Sequence, residues 1–443
     1  MTLHYHRVLS TGQFMGSVHP NNNGLASIES RVLQILLVLA ACSSIVNQYV
    51  SQAAILLAII VAIVLHVRAA KHNPRVPYQW YVPRDWLFAF LFVVVAALPM
   101  AISSDSMRPV DAPLRYSLLL LLMAVLPAFV LRAEVFLRAL SASTIIAVVM
   151  VSVFDLGPDS RHFAADQVRV DFGLGVLDSA FAAVFYIPFI VAQSYRDRRF
   201  IGWSILGAVG LLCALYIAIM TGTRGTWLAL LMAPLLSMAF IPQRHVRVAL
   251  VTSVTIGALL FVSYFVSDMV RERVDSAVWN VEAYATGEQL QDENSLGQRL
   301  DLWRAAMITF SRHPIYGASF QQRADIKQEL IDTDKISHHI DVDGKRSAHN
   351  ELLNAMSMKG LLGVLAILLL YWVPGRFFRQ QSLKSVDSKH AALPLASVIA
   401  VVIVVLCGFS EALLMSGRFS ILYGFTLVVM YAFTVQRQAR VLD

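Results

Sequence analysis

The sequence predicts an all-α polytopic membrane protein of about 12 transmembrane helices, with a long polar loop that contains short amphipathic helices. Three observations predict it. Of the 443 residues, 57% are hydrophobic and 15% charged, with a mean hydropathy of +0.62, whereas a soluble domain carries about 45–50% apolar and about 25% charged residues. Apolar stretches able to cross a hydrocarbon core of about 30 Å recur along the chain. Basic residues are dense in one set of connections and sparse in the alternate set, as in polytopic proteins. This composition excludes a soluble multidomain enzyme and a disordered or fibrous chain. The formal charge of +7 belongs to membrane-side loops, so membrane lipids are expected as partners and nucleic acid is not.

Residues 1–30 read as a polar cytoplasmic tail, with Asn21, Asn22 and Asn23 in a row and no apolar core of a signal peptide. Nine spans follow within 31–266, at 31–46, 50–66, 86–102, 116–131, 139–154, 174–193, 202–220, 225–241 and 246–266. Residues 267–355 form the long loop, 356–435 hold spans at 356–373, 392–408 and 417–435, and 436–443 are a second cytoplasmic tail. Each apolar run reads as a helix because lipid leaves backbone groups no partner but their own segment. Cys42, Cys213 and Cys407 sit inside such runs and read as packing residues rather than ligands or a disulfide framework.

Placing both termini in the cytoplasm collects Arg68, Lys71, Arg75, Arg196, Arg198, Arg199, Arg244, Arg376, Arg379 and Lys384 on the inner side. The short outer loops keep Arg108, Arg115, Arg161, Arg169, Arg224 and Arg418, beside Asp105, Asp111, Asp155, Asp159, Asp166 and Asp171. The inverted topology would reverse this bias. Parity then puts 267–355 outside, and long loops in compact architectures are usually functional. Within it Leu296, Leu300, Trp303, Met307 and Phe310 line one face of a helix. Asn294 or Ser295 can cap its start, and Arg312-His313-Pro314 closes it. A second helix is expected to begin near Ser347, as N-cap, and to run into the tenth span. The loop is thus expected to lie against the bilayer as short helices.

Charged side chains are scarce within the spans, Asp178 near an outer helix end being the chief one. That argues against a transporter, which carries charged or broken-helix sites near the midplane. Polar groups gather instead at the outer surface. Arg224, in Thr221-Gly222-Thr223-Arg224-Gly225-Thr226, is either a snorkelling arginine or part of a phosphate site with Thr223 and the N-terminus of the next helix. Arg299 borders the apolar stripe of the loop helix, where a guanidinium fork can grip a pyrophosphate. Arg304 is a further candidate or a surface residue paired with Asp301, and Arg346 is a weaker one. His349 stands where the polar loop becomes an apolar helix. It is either a hydrogen-bonded structural residue or a neutral base, a form that nearby arginines favour. Asn350 beside it can orient the imidazole or cap the helix. Glu411, in the last outer loop, can position a substrate or pair with Arg418. His338 and His339 form no zinc-like arrangement with His349, so a site without metal or other cofactor is expected.

His349-Asn350, nine residues, then Gly360-Leu361-Leu362-Gly363 resembles the H-[NSQ]-x9-G-x-x-G pattern of the O-antigen ligase family. Thr223-Arg224-Gly225 is similar to that family's short arginine turn. Gln298-Arg299-Leu300-Asp301-Leu302-Trp303, followed by His313-Pro314-Ile315-Tyr316-Gly317, is similar to the start of its periplasmic loop. Ser319 departs from the pattern, since relatives often place a second glycine there. The resemblance implies a GT-C-like fold in the bacterial inner membrane with its active site facing the periplasm. It also implies en bloc transfer of an O-antigen from undecaprenyl diphosphate to a lipid A-core acceptor. In that reading Arg224 and Arg299 hold the diphosphate and His349 is the general base of an inverting displacement. An O-antigen polymerase or a protein O-oligosaccharyltransferase would use the same donor. A lipid-linked oligosaccharide flippase is the alternative from another class.

Overall fold

The computed structural model describes residues 25–72, 82–153, 161–164, 167–170, 172, 175–240, 246–286, 295–338, 340–385, 388–414 and 418–442. Arg7, Asn21, Asn22, Asn23, Arg75, Asp155, Asp159, Asp166, Asp171, Arg244, Asn294 and His339 lie outside them. Every apolar run becomes a helix. In chain order they are α1 (Leu25–Ser43), α2 (Gln48–His72), α3 (Arg84–Ser103), α4 (Arg108–Val125), α5 (Ala133–Val153), α6 (Val176–Asp197), α7 (Ile201–Met220), α8 (Arg224–Ser237) and α9 (Val246–Val266). The polar insert folds as α10 (Asp268–Thr286), α11 (Ser295–Arg312) and α12 (Phe320–Asp332). Then come α13 (Glu351–Lys384), α14 (Ser388–Cys407) and α15 (Phe419–Leu442). One antiparallel hairpin, β1 (Arg161–Ala164) with β2 (Gln167–Val170), is the exception to an all-α polytopic membrane fold.

Among the described residues eight helices are each long and apolar enough to cross a membrane. Two of the remaining apolar helices have a geometry of their own. α8 has 14 residues, about 21 Å at the helical rise, and α9 turns by 98° into α10. α6 and α15 are the most enclosed of the spans. α6 packs on α7 and α14, and α13 packs on α14 and α3. Small residues permit the closest approaches, as in membrane helix packing: a Cβ on Gly210 of α7 would lie 2.8 Å from the Ser141 Cβ of α5.

One end of the bundle is tied by charge, the other carries the insert. At the first, Arg138 forks onto Asp197 at 2.8 and 2.9 Å and lies 3.9 Å over the Trp203 ring. At the second, the Phe320 N–H donates to the Ser104 hydroxyl between α3 and α4 at 3.1 Å. The insert has a small core of its own in Ala305, Ile326, Leu330, Ile331, Ile336 and Ile340.

Two sequence expectations need correction here. The helix after the insert does not start at Ser347: its cap is Asn350, whose side chain accepts the Leu353 N–H at 3.0 Å, and His349 has φ +47°, outside helical space. The apolar run 356–373 also hides both a charge and a break. Lys359 is 2% exposed, and Gly360 (φ 61°, ψ −148°) interrupts α13, in a conformation nearly confined to glycine. The His313-Pro314-Ile315-Tyr316-Gly317 turn fills that break. The freed N–H groups of Leu361 and Leu362 donate to the carbonyls of Pro314 at 2.8 Å and Ile315 at 3.4 Å. A Cβ on Gly360 or Gly317 would overlap the facing backbone. Gly360 of the histidine motif thus seats this turn. Ser319, which departs from the family pattern, caps α12 in a reciprocal capping box with Gln322.

Candidate active site

His349 stands on a left-handed backbone position held by its own N–H, which donates to the Ser347 hydroxyl at 3.2 Å. Its ring Nδ1 lies 2.7 Å from Glu411 Oε2. A ring nitrogen that faces a carboxylate carries a proton, so the partner sets the tautomer of the neutral ring, in which Nε2 is the acceptor. Ser347 donates to the other Glu411 oxygen at 3.2 Å, and the Ala412 N–H donates to it at 3.1 Å. Burial pushes the Glu411 carboxyl up, but the bonds from His349, Ala412 and Ser347 outweigh it and hold the group below the usual carboxylate range. The expected alternative for Glu411, a pair with Arg418, is not formed: Arg418 lies 3.9 Å from Asp178 instead. Asn350 does not reach the imidazole. It caps α13, and its amide donates to the Phe409 carbonyl at 3.4 Å.

The arginine turn adjoins this pair. Gly225 is pressed against Ser410, so closely that a Cβ would overlap its side chain, and Ser410 precedes Glu411. Thr223 is buried at the N-cap of α8, its hydroxyl turned back to the Thr221 carbonyl at 3.5 Å. Arg224, in the first turn, donates to the Ser276 hydroxyl of α10. One turn earlier on α10, Arg273 is buried against the turn, with its Nε 3.3 Å from where a Gly222 Cβ would be. The N-terminus of α8, with Arg224 in its first turn and Arg273 against the preceding turn, therefore adjoins the segment that carries Glu411. That combination can hold an anion beside a base.

The other expected residues stand apart. Arg299 is half-buried on α11, on the face of Leu302 and Ala306, which line a small cavity with Ser347 and Ala348. It does not join the contacts above. Arg304 is exposed and donates to the Lys335 carbonyl at 2.8 Å, while Asp301 accepts the Ser337 N–H at 2.9 Å. Arg346 is exposed and paired with Asp341 at 2.7 Å. The apolar stripe of α11 is also its less buried side: Met307 is 52% exposed, whereas Ala305, Ala306 and Thr309 are buried toward the protein. Among the described residues no three His, Cys, Asp or Glu side chains gather as a metal site.

Sequence reasoning missed Arg323 and Lys327. Both are buried on α12, and both bind main-chain carbonyls of the segment before His349. Arg323 donates to Gly344 and, at 3.0 Å, to Arg346. Lys327 donates to Asp341 at 3.1 Å and Asp343 at 2.9 Å. Burial and the Arg323 charge push the Lys327 amine down to about 8, against the opposing pull of Asp341 and Asp343.

Residues 209–368 match the family described as O-antigen ligase. The matched segment is what likens the chain to the O-antigen ligase family. It is 24% identical over 306 residues to an uncharacterized protein of Haemophilus influenzae, covering 66% of this chain and 72% of that one. It is also 24% identical over 215 residues to an O-antigen ligase of Escherichia coli, covering 46% of this chain and 48% of that protein. The chain thus spans about half the length of the latter relative. The family stretch contains Arg224, Arg299, His349, Asn350, Gly360 and Gly363 but ends before Glu411. The carboxylate that completes the histidine pair lies beyond the part of the chain that marks this family.

Proposed function

We propose that the chain transfers an O-antigen en bloc from undecaprenyl diphosphate to the lipid A-core saccharide, at the periplasmic face of the inner membrane. The observation that carries this reading is the 2.7 Å contact of His349 Nδ1 with Glu411, which leaves Nε2 as a base beside the arginine turn. An acceptor hydroxyl gives its proton to Nε2 as its oxygen bonds to the anomeric carbon. The bond from that carbon to the diphosphate oxygen breaks, and undecaprenyl diphosphate departs with the electron pair. One displacement inverts the anomeric centre. Glu411 keeps the imidazole in the right tautomer and steadies the imidazolium, the role of a carboxylate behind a catalytic histidine. Arg224 and Arg299 bind the diphosphate and offset the charge that develops on it. Asn350 and Thr223 shape the two segments that carry these groups.

The test is transfer by purified protein in EDTA, from an undecaprenyl-diphosphate glycan to lipid A-core, a second lipid-linked glycan and a pilin-like protein offered together. Product is expected on lipid A-core alone. His349→Ala should lower transfer by about 10²–10⁴-fold, the usual worth of a general base, with donor binding retained. Arg224→Ala and Arg299→Ala should weaken donor binding instead. Product on another acceptor overturns the assignment of substrate, and full activity of His349→Ala overturns the mechanism.

A further inference from the structure

We propose that Glu351 is the positioning residue for the His349–Glu411 pair, acting through the loop Gly408–Leu414; this rests on His349 being the base. Glu351 is 1% exposed, and it grips that loop at both ends. Its own N–H donates to the Gly408 carbonyl at 2.7 Å. Its Oε2 accepts the N–H groups of Leu413 and, at 2.7 Å, Leu414. Glu411 sits between these anchors. Neighbours complete the clamp: Asn350 binds the Phe409 carbonyl, and the Tyr116 hydroxyl donates to the Leu414 carbonyl at 3.3 Å. The loop also lies close upon Glu351, since a Cβ on Gly408 would be 3.2 Å from the Glu351 Cβ and 2.9 Å from the Tyr371 hydroxyl.

Burying a carboxylate at the end of a transmembrane helix is costly unless its hydrogen bonds are made. The bonds that Oε2 makes are those that fix the loop, Oε1 has no hydrogen-bond partner among the described residues, and Lys359 supplies the nearby opposite charge. Glu351 and His349 are only two residues apart, so the clamp and the base share one short rigid segment. Movement of the loop relative to α13 would separate Glu411 from Nδ1, while the Arg224 guanidinium is held by Ser276 of α10, outside that loop. Misplacement of a catalytic group by about 1 Å costs on the order of 10²-fold. Glu351 therefore governs the turnover step, and donor binding does not depend on it.

The test has two independent readouts on Glu351→Ala, Glu351→Asp and Glu351→Gln. The first is the Nδ1 proton of His349 in protein labelled with 15N-histidine, assigned by its loss in His349→Ala. A downfield, hydrogen-bonded proton is expected in wild type and in Glu351→Gln, whose amide oxygen still accepts both N–H groups. It should be missing in Glu351→Ala and Glu411→Gln. The second is the transfer assay, where Glu351→Ala should lose roughly 10²-fold in kcat at unchanged KM for the donor, and Glu351→Gln should restore it. Combined with Glu411→Gln, Glu351→Ala should cause no further loss. If Glu351→Ala does not fold, the shorter carboxylate of Glu351→Asp decides by the same two readouts. An intact Nδ1 signal in the truncated variants, or multiplicative loss in the double variant, overturns the clamp. Absence of transfer in wild type with the Nδ1 pattern as expected would instead remove the proposed function and keep the clamp.

Discussion

Glu411 has no local sequence feature that separates it from any acid in an outer loop, yet it makes the most consequential contact in the molecule. Its partner is 62 residues away, and the residue nearest to it that could pair by sequence, Arg418, turns to Asp178. Its hydrogen bonds hold the carboxyl below the usual range, so it gives up its charge at a lower pH than a free carboxylate. Glu411→Gln keeps the shape and reverses the tautomer preference of the ring, since a glutamine amide can present a donor to Nδ1. Loss of a carboxylate behind a catalytic histidine costs up to about 10⁴-fold in kcat. The expected result is a fall of that order, equal at pH 6 and pH 8, with donor affinity unchanged. Full kcat in Glu411→Gln at pH 8 would mean that the carboxylate plays no part.

The breaking of α13 shows which features of the elements were legible and which were not. All the apolar runs became helices because their length and composition leave the backbone no other partner in lipid. α11 ended at Arg312 as its proline required. The cap shifted from Ser347 to Asn350 because Ser347 was already committed to Glu411 and to the His349 N–H, contacts that no local pattern encodes. Arg323 and Lys327 look like ordinary solvated charges on a polar helix, and only the fold of residues 341–347 over them buries both. The histidine motif was legible, but the part its Gly360 plays, which is to receive a turn from the insert, was not. Gly360→Ala tests that assignment. A residue with a side chain held at φ 61°, ψ −148° costs about 1–3 kcal/mol, and its Cβ would also meet the Ile315 carbonyl. The variant should unfold at lower temperature in detergent and expose the 313–317 turn to protease. An unchanged unfolding temperature with the turn still protected would show that a side chain is tolerated in the break.

At the scale of the whole molecule, the contacts place the insert, the arginine turn and the Glu411 loop at one end of the bundle. The Arg138–Asp197 and Arg196–Glu134 pairs occupy the other. Basic residues crowd this second end and its neighbouring connections, and lysines and arginines are retained on the cytoplasmic side. The proposed chemistry needs the opposite end outside, where a lipid-linked glycan and a lipid A-core can meet. Both arguments therefore require one orientation, and a single experiment decides it. In a background with Cys42, Cys213 and Cys407 replaced by serine, Lys345→Cys puts a thiol on the exposed insert and Arg199→Cys puts one between α6 and α7. A membrane-impermeant maleimide should label position 345 in cells with a permeabilised outer membrane. It should reach position 199 only after the inner membrane is opened. The reverse pattern would place the histidine pair in the cytoplasm, away from any lipid A-core acceptor, and the proposed reaction would fall even with every contact at the site intact.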